Sequence, residues 1–282
     1  MTAINTNVNS LMTQGALRKN EADMSTSMTR LSTGLRINTA ADDAAGMAIA
    51  SRMTAQINGL NQAVRNANDA ISMIQTADGA TVEISNMFQR MRELAVQSLN
   101  GTNTTDDRSA LDTEFQALLS EVERVADNTQ WNGRNVLDGS VDGSDTFVTF
   151  QIGANSSQSV TLAFGDFQTA SGTDSVYGAD ISTMDITDET NAGTALTTLT
   201  SAINEVNAKR AEFGSTVNRL GYAIDNLSNV ALNAEASWSR VQDANYGQET
   251  SELARTQIIQ QAGTAMLAQA NALPQTVLAL LK

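Results

Sequence analysis

Between Leu196 and Val241 apolar residues recur in alternating steps of three and four. They are Leu196, Leu199, Ile203, Val206, Phe213, Val217, Leu220, Ile224, Leu227, Ala231, Ala234, Trp238 and Val241, with Arg210 the single polar member. A straight helix turns every 3.6 residues, so a sustained repeat of 3.5 keeps one seam facing a partner only if helices wrap around each other. At about 1.5 Å per residue this predicts a rod of roughly 70 Å. A candidate partner lies upstream: Met53, Ile57, Leu60, Val64, Ala67, Ile71 and Ile74 carry the same spacing. Its phase slips near Asp78–Gly79 and resumes as Ala77, Thr81, Ile84, Phe88, Met91 and Ala95. A third, shorter ladder is Leu111, Phe115, Leu118, Val122 and Val125.

The remaining segments are weaker. Ile4, Val8, Leu11, Met24, Met28, Leu31 and Leu35 predict helix over the first 45 residues, with a break around Asn38–Asp43. Asn100–Gly101 closes the first long helix, because glycine adopts the left-handed conformation at a helix end cheaply. Gly59 and Gly79 lie inside that helix at about 1 kcal/mol each relative to alanine. Thr104–Asp107 supplies cap candidates for the short helix, which ends near Asn128. Turn signals then cluster at Asn132–Gly133, Asp138–Gly139 and Asp142–Gly143. Val148, Phe150 and Ile152 alternate with polar residues, as do Val160, Leu162 and Phe164, which predicts a hairpin with one apolar face. Beyond a break at Asn245–Gly247, a weak ladder of Ile259, Ala262, Met266, Ala270, Leu273, Val277 and Leu280 ends the chain.

The fold class expected is mainly α: a long antiparallel coiled-coil bundle formed by both chain ends, with a small β-hairpin region in the middle. Residues 1–45 with 242–282 form a discontinuous terminal domain. Residues 46–241 form a helical bundle domain with β-hairpins at about 135–185. The terminal stripes are short and interrupted, so the ends are expected to fold only when they assemble.

Composition removes several functions. Formal net charge is −14 and lysine occurs only at Lys19, Lys209 and Lys282, which leaves no basic face for nucleic acid. Cysteine and histidine are both absent, removing thiolate chemistry, most zinc sites and the commonest general base. No run of about eighteen apolar residues predicts a membrane span. The start, Met1-Thr-Ala-Ile-Asn-Thr-Asn, lacks the basic and apolar regions of a cleavable secretory signal. Asp42–Asp43 could suggest a metal site but reads better as a polar break between helices. The chain is expected to be no enzyme and to need no cofactor.

Several stretches carry a resemblance. They are Ile4-Asn-Thr-Asn-Val8, Leu31-Ser-Thr-Gly-Leu-Arg-Ile-Asn38, Ala41-Asp-Asp-Ala-Ala-Gly46, Gln89-Arg-Met-Arg-Glu-Leu-Ala-Val-Gln97, Trp131-Asn-Gly133, Gln151-Ile-Gly-Ala154, and Ala268-Gln-Ala-Asn271 with Pro274-Gln-x-Val-Leu-x-Leu-Leu281. In that order they resemble bacterial flagellin over nearly the whole length, in a short form without large variable outer domains. The resemblance implies a subunit of the hollow flagellar filament used for motility, extracellular, exported unfolded by a type III route without a cleaved signal. The terminal helices would form an inner tube, and the bundle with its hairpins an outer one. Terminal assembly would involve Ile4, Val8, Leu11, Val277, Leu278, Leu280 and Leu281. Expected partners are further copies of the chain, a flagellar export chaperone on roughly Ser239–Lys282, a filament cap and hook-junction proteins. Gln89, Arg90, Leu94 and Glu114 match positions used for subunit contact and for recognition by the innate receptor Toll-like receptor 5 (TLR5). The C-terminal apolar residues match those read by cytosolic inflammasome sensors. The other readings are a hook–filament junction protein and a signalling coiled-coil hairpin. The latter leaves the terminal motifs and the mid-chain hairpin unexplained.

Overall fold

The computed structural model describes residues 6–140, 147–169, 175–177 and 181–280, and only the backbone of 273–280. The chain runs α1 (Val8–Thr33), α2 (Ala44–Ser98), α3 (Thr105–Asn128), β1 (Gln130–Trp131), β2 (Arg134–Asn135), β3 (Phe147–Gln151), β4 (Ser159–Ala163), α4 (Glu189–Gln242) and α5 (Tyr246–Leu280). The expected fold class stands: long helices dominate and two small antiparallel hairpins lie in the middle. By contact density the chain divides into Met1–Ile57 with Leu232–Lys282, and Asn58–Ala231.

In the second unit the core is built by α2, α3, α4 and the β3–β4 hairpin. Phe88, Met91 and Leu94 of α2 are buried with Phe115, Leu119 and Val122 of α3 and Leu199, Val206, Phe213 and Leu220 of α4. Val160 and Leu162 add the inner face of the hairpin. Its register pairs Phe147 with Ala163, Val148 with Leu162 and Phe150 with Val160, as the alternation predicted. Gly59 sits in α2 where Ala154 of the hairpin loop packs against it. An added Cβ would come 3.0 Å from the Ala154 methyl, so this glycine is there for close approach. The β1–β2 hairpin was predicted only as a turn. Asn132 (φ 51) and Gly133 (φ 77) both take the left-handed conformation that a two-residue hairpin loop demands.

The ladders differ from expectation in phase. On α2 a buried line runs through Ile57, Leu60, Ala63, Ala67, Ala70, Ile74, Ala77, Thr81, Ile84, Phe88, Met91, Ala95 and Ser98, with Met73, Ser85 and Leu94 buried beside it. The seam therefore passes through Ala63 and Ala70, while Val64 and Ile71 are half-buried beside it. The extra three-residue step falls at Leu60–Ala63, and no slip occurs at Asp78–Gly79. On α4 the same shift puts Ala195, Ala202 and Thr216 in the seam in place of Leu196, Ile203 and Val217. Small residues allow the backbones to come close, and the larger neighbours cover the flanks. The polar member Arg210 is half-exposed and pairs with Asp78 at 2.9 Å.

Thr104 caps α3 with a reciprocal capping box. Its hydroxyl accepts from Asp107 N at 3.3 Å, and the Asp107 carboxylate accepts from Thr104 N at 2.9 Å. The Thr104 hydroxyl also donates to the Asp107 carboxylate at 2.7 Å, and this bond first, then the one from Thr104 N, holds the carboxyl below its ordinary range. The connection from β4 to α4 is fastened to α3 by carboxylates: Asp112 accepts from Ile186 N at 3.0 Å, and Glu123 from Thr169 N at 2.7 Å.

Candidate functional site

In the first unit α1 and α5 pair antiparallel, as expected of the chain ends. Asn7 Nδ2 donates to Ala270 O at 2.8 Å, Asn20 Nδ2 to Thr256 O at 2.8 Å, and Arg30 pairs with Glu249 at 3.2 Å. The residues on the buried line are unlike those of an ordinary helix seam. Ser10, Asn20 and Ser27 are buried on α1, and Glu249, Thr256 and Ala270 on α5. Gly263 completes the line: a Cβ there would come 2.7 Å from Leu17 Cδ2. Arg30 lies in the last turn of α1 and Glu249 in the first turn of α5, where each charge also suits the helix dipole.

Part of the apolar surface points outward, while Leu17, Met24 and Leu31 of α1 and Leu253 and Leu267 of α5 are half-buried. Met12 is 70 % exposed and Leu11 59 %, with Val8 on the same face of α1. On α5, Ile259 and Met266 are exposed seven residues apart, and Ile258 beside them. The expectation of an apolar seam through Ile259 and Met266 is therefore corrected: both are exposed, and hydrogen bonds and an ion pair run along the buried line of the pair. Of the predicted terminal residues, Val8 and Leu11 lie on this exposed face. Ile4 and Leu281 lie outside the described residues, as do the side chains of Val277, Leu278 and Leu280.

A paired backbone clasp closes the same unit. Gly34, with φ 74, caps α1 in the left-handed conformation. Leu35 and Asp243 form an antiparallel bridge: Arg36 N donates to Gln242 O at 2.7 Å and Ala244 N to Gly34 O at 2.9 Å. The Asp42–Asp43 pair has a structural task. Asp42 accepts from the Thr39 backbone at 2.8 Å and its hydroxyl at 3.0 Å, and from Asn38 N. These bonds, the Thr39 backbone N–H first, lower the Asp42 carboxyl from its usual value. Asp43 accepts from Gly46 N at 2.8 Å and so caps α2.

The predicted recognition residues lie in the second unit. Gln89 and Arg90 are exposed on α2 and Glu114 on α3. Arg90 reaches Glu114 at 2.9 Å and Glu93 at 3.0 Å, and these partners, Glu114 first, raise its already high pKa. Leu94 is 1 % exposed and belongs to the core. Gln89, Arg92 and Glu93 also line a shallow cavity of about 360 Å³ with Thr200, Ile203 and Asn204 of α4. Those α4 residues were not predicted as site residues. Ile203 was legible only as a ladder position.

Known proteins decide the family. The chain matches the bacterial flagellin N-terminal helical region over residues 4–142 and the C-terminal helical region over 196–281. A flagellin of Halalkalibacterium halodurans is 46 % identical over 255 residues, covering 90 % of both chains. The chain belongs to the flagellin family. The flagellar filament 33 kDa core protein of Treponema phagedenis is 39 % identical over 285 residues, 99 % of each chain. A solved structure of a hook-associated protein, described as putative, from Vibrio parahaemolyticus covers 72 % of this chain and all of its own, at TM-score 0.58 and 14 % identity. That likeness speaks to the fold alone. This flagellin is a structural subunit of the flagellar filament.

Proposed function

We propose that this flagellin polymerises by burying the outward apolar faces of α1 and α5 between neighbouring copies. One observation carries this: the terminal pair, joined by hydrogen bonds along its buried line, leaves Val8, Leu11, Met12, Ile259 and Met266 uncovered. Exposed apolar residues grouped on one face mark an interaction site. Hydrogen bonds across the pair set its geometry, and the hydrophobic effect of covering the faces supplies the association free energy. The terminal domain takes the inner, tube-lining position and the bundle the outer one, and no catalytic step enters.

The route follows from the same reading. The chain leaves the cell unfolded by the flagellar type III path, with a chaperone on roughly Ser239–Lys282, and folds at the tip beneath a cap. Hook-junction proteins provide the first docking surface. The exposed Arg90–Glu114 pair with Gln89 gives TLR5 a polar surface on α2 and α3, and the C-terminal apolar residues are those offered to inflammasome sensors.

Electron microscopy after adding sheared filament seeds tests the polymer reading. Growth into hollow filaments, with unseeded monomer staying soluble, is expected. A discrete oligomer that ignores seeds would overturn it. Deleting residues 273–282 should abolish growth while the 58–231 unit stays folded by circular dichroism.

A further inference from the structure

Asparagine followed by glycine occurs three times, at Asn58–Gly59, Asn100–Gly101 and Asn132–Gly133. At each pair the following backbone nitrogen can in principle close a five-membered ring on the asparagine side-chain carbon, and glycine offers no Cβ to hinder the approach. The fold holds the three pairs differently. Asn58–Gly59 lies inside α2, with Ala154 packed over Gly59. Asn132–Gly133 is locked as the left-handed loop of a hairpin whose pairs are Trp131 with Arg134 and Gln130 with Asn135. Ring closure needs a backbone conformation that neither a helix nor this turn supplies.

Asn100–Gly101 stands just beyond the end of α2. Asn100 is exposed. Among the described residues the Gly101 N–H donates to no backbone acceptor, and nothing lies within 4 Å of where its Cβ would be. Two backbone bonds flank the pair, from Asn100 N to Gln97 O and from Asn103 N to Asn100 O, both at 3.1 Å. Opening this single turn costs little beside opening a helix interior.

We infer that Asn100 is a self-modification site, the first position of the chain to deamidate. The Gly101 backbone nitrogen, having given its proton to solvent hydroxide, attacks Asn100 Cγ. An N–Cγ bond forms, the Cγ–Nδ2 bond breaks, and ammonia leaves with a proton from water. Water then opens the succinimide at either of its two carbonyl carbons, giving aspartate or isoaspartate, with no change of oxidation state. The isoaspartyl product routes the backbone through the former side chain and lengthens it by one methylene. The change arises two residues from Ser98, whose carbonyl accepts from Arg108 at 3.1 Å and whose hydroxyl donates to Ile186 O at 2.6 Å. The reaction consumes only water, so the converted fraction records the age of the subunit.

Arginines place the three pairs in separate tryptic peptides, 53–65, 93–108 and 125–134. The folded full-length chain is incubated at mildly alkaline pH, digested, and read by fragmentation mass spectrometry, which also separates Asn100 from Asn103. Asn100 should convert at least tenfold faster than Asn58, equivalent to about 1.4 kcal/mol of opening free energy, and ahead of Asn132. In denaturant the three rates should converge. Gly101→Ala should slow the reaction steeply without unfolding, since its added methyl hinders ring closure yet meets open space in the fold. Equal rates at Asn100 and Asn58 in the folded chain would overturn the assignment, as would the same ranking persisting in denaturant. An unchanged Asn100 rate in Gly101→Ala would do so too.

Discussion

The unit from Asn58 to Ala231 and the paired ends are both helical, yet they treat their apolar residues in opposite ways. The bundle turns Phe88, Phe115, Phe213 and Leu220 inward and closes a core within one chain. The α1–α5 pair turns Ser10, Asn20, Ser27 and Thr256 inward and leaves Leu11, Met12 and Met266 to water. A core completed inside the chain makes a domain that is stable alone. Apolar faces left outside make a domain whose stability depends on its neighbours and therefore on concentration. The Asn58–Ala231 bundle of this flagellin is thus a folded body, and the paired ends are a connector.

The comparison can be broken most sharply at the bundle core. Phe88→Ala, at a fully buried ring in edge contact with Tyr177, should lower bundle stability by about 3–5 kcal/mol in chemical denaturation of the monomer. Arg30→Ala should cost about 1–3 kcal/mol, felt in the terminal pair alone. It strands the buried Glu249 carboxylate, and the partly exposed arginine keeps the loss below that of a fully buried pair. Hydrogen exchange over α1 and α5 reads this, and unchanged protection would show that the pair is held elsewhere.

Thr104→Ala should cost about 1 kcal/mol at the α3 cap. It should also alter the acid limb of the stability curve. The folded pKa of Asp107 lies below its ordinary 3.8, so its stabilisation is complete above that value and is lost as the pH falls below it. The variant should therefore lose less stability on acidification than the parent, measured by thermal unfolding across that range. The smallest effect on the monomer is expected from Met12→Ser, whose side chain touches little. Its melting temperature should stay unchanged while seeded growth falls steeply. Equal growth would remove this face from the assembly interface.

Much of the fold was legible. The hairpin register and the Thr104 cap follow from periodicity and capping chemistry, which act over a few residues; α2 does end near Asn100, but Gly101 does not take the left-handed conformation expected to close it. The seam itself was read one position off at Val64, Ile71, Leu196 and Ile203, because a pattern weighted by size favours the larger of two adjacent apolar residues. Close packing chose Ala63, Ala70, Ala195 and Ala202. The β1–β2 hairpin was there to be found in Asn132–Gly133, a strong loop signal passed over because its strands have two residues each. The polar interior of the terminal pair was not legible. Asn20 with Thr256 and Arg30 with Glu249 are partners across more than two hundred residues, and no local pattern announces them. Leu94 shows the reverse case: a motif match marks a position, and only packing shows that its side chain lies in the core.

The clasp at Leu35 and Asp243 has a further consequence. Its bonds run between backbone groups, so most side chains there are exchangeable, whereas the number of residues on either side is not. One residue inserted between Gly34 and the α1 cap at Asn7 would turn the upstream part of the helix by about 100° against α5. Ser10 or Asn20 would then swing out and an apolar neighbour in. What evolution must conserve at this joint is arithmetic, and frame-preserving insertions of a single codon should be tolerated less well there than almost any substitution.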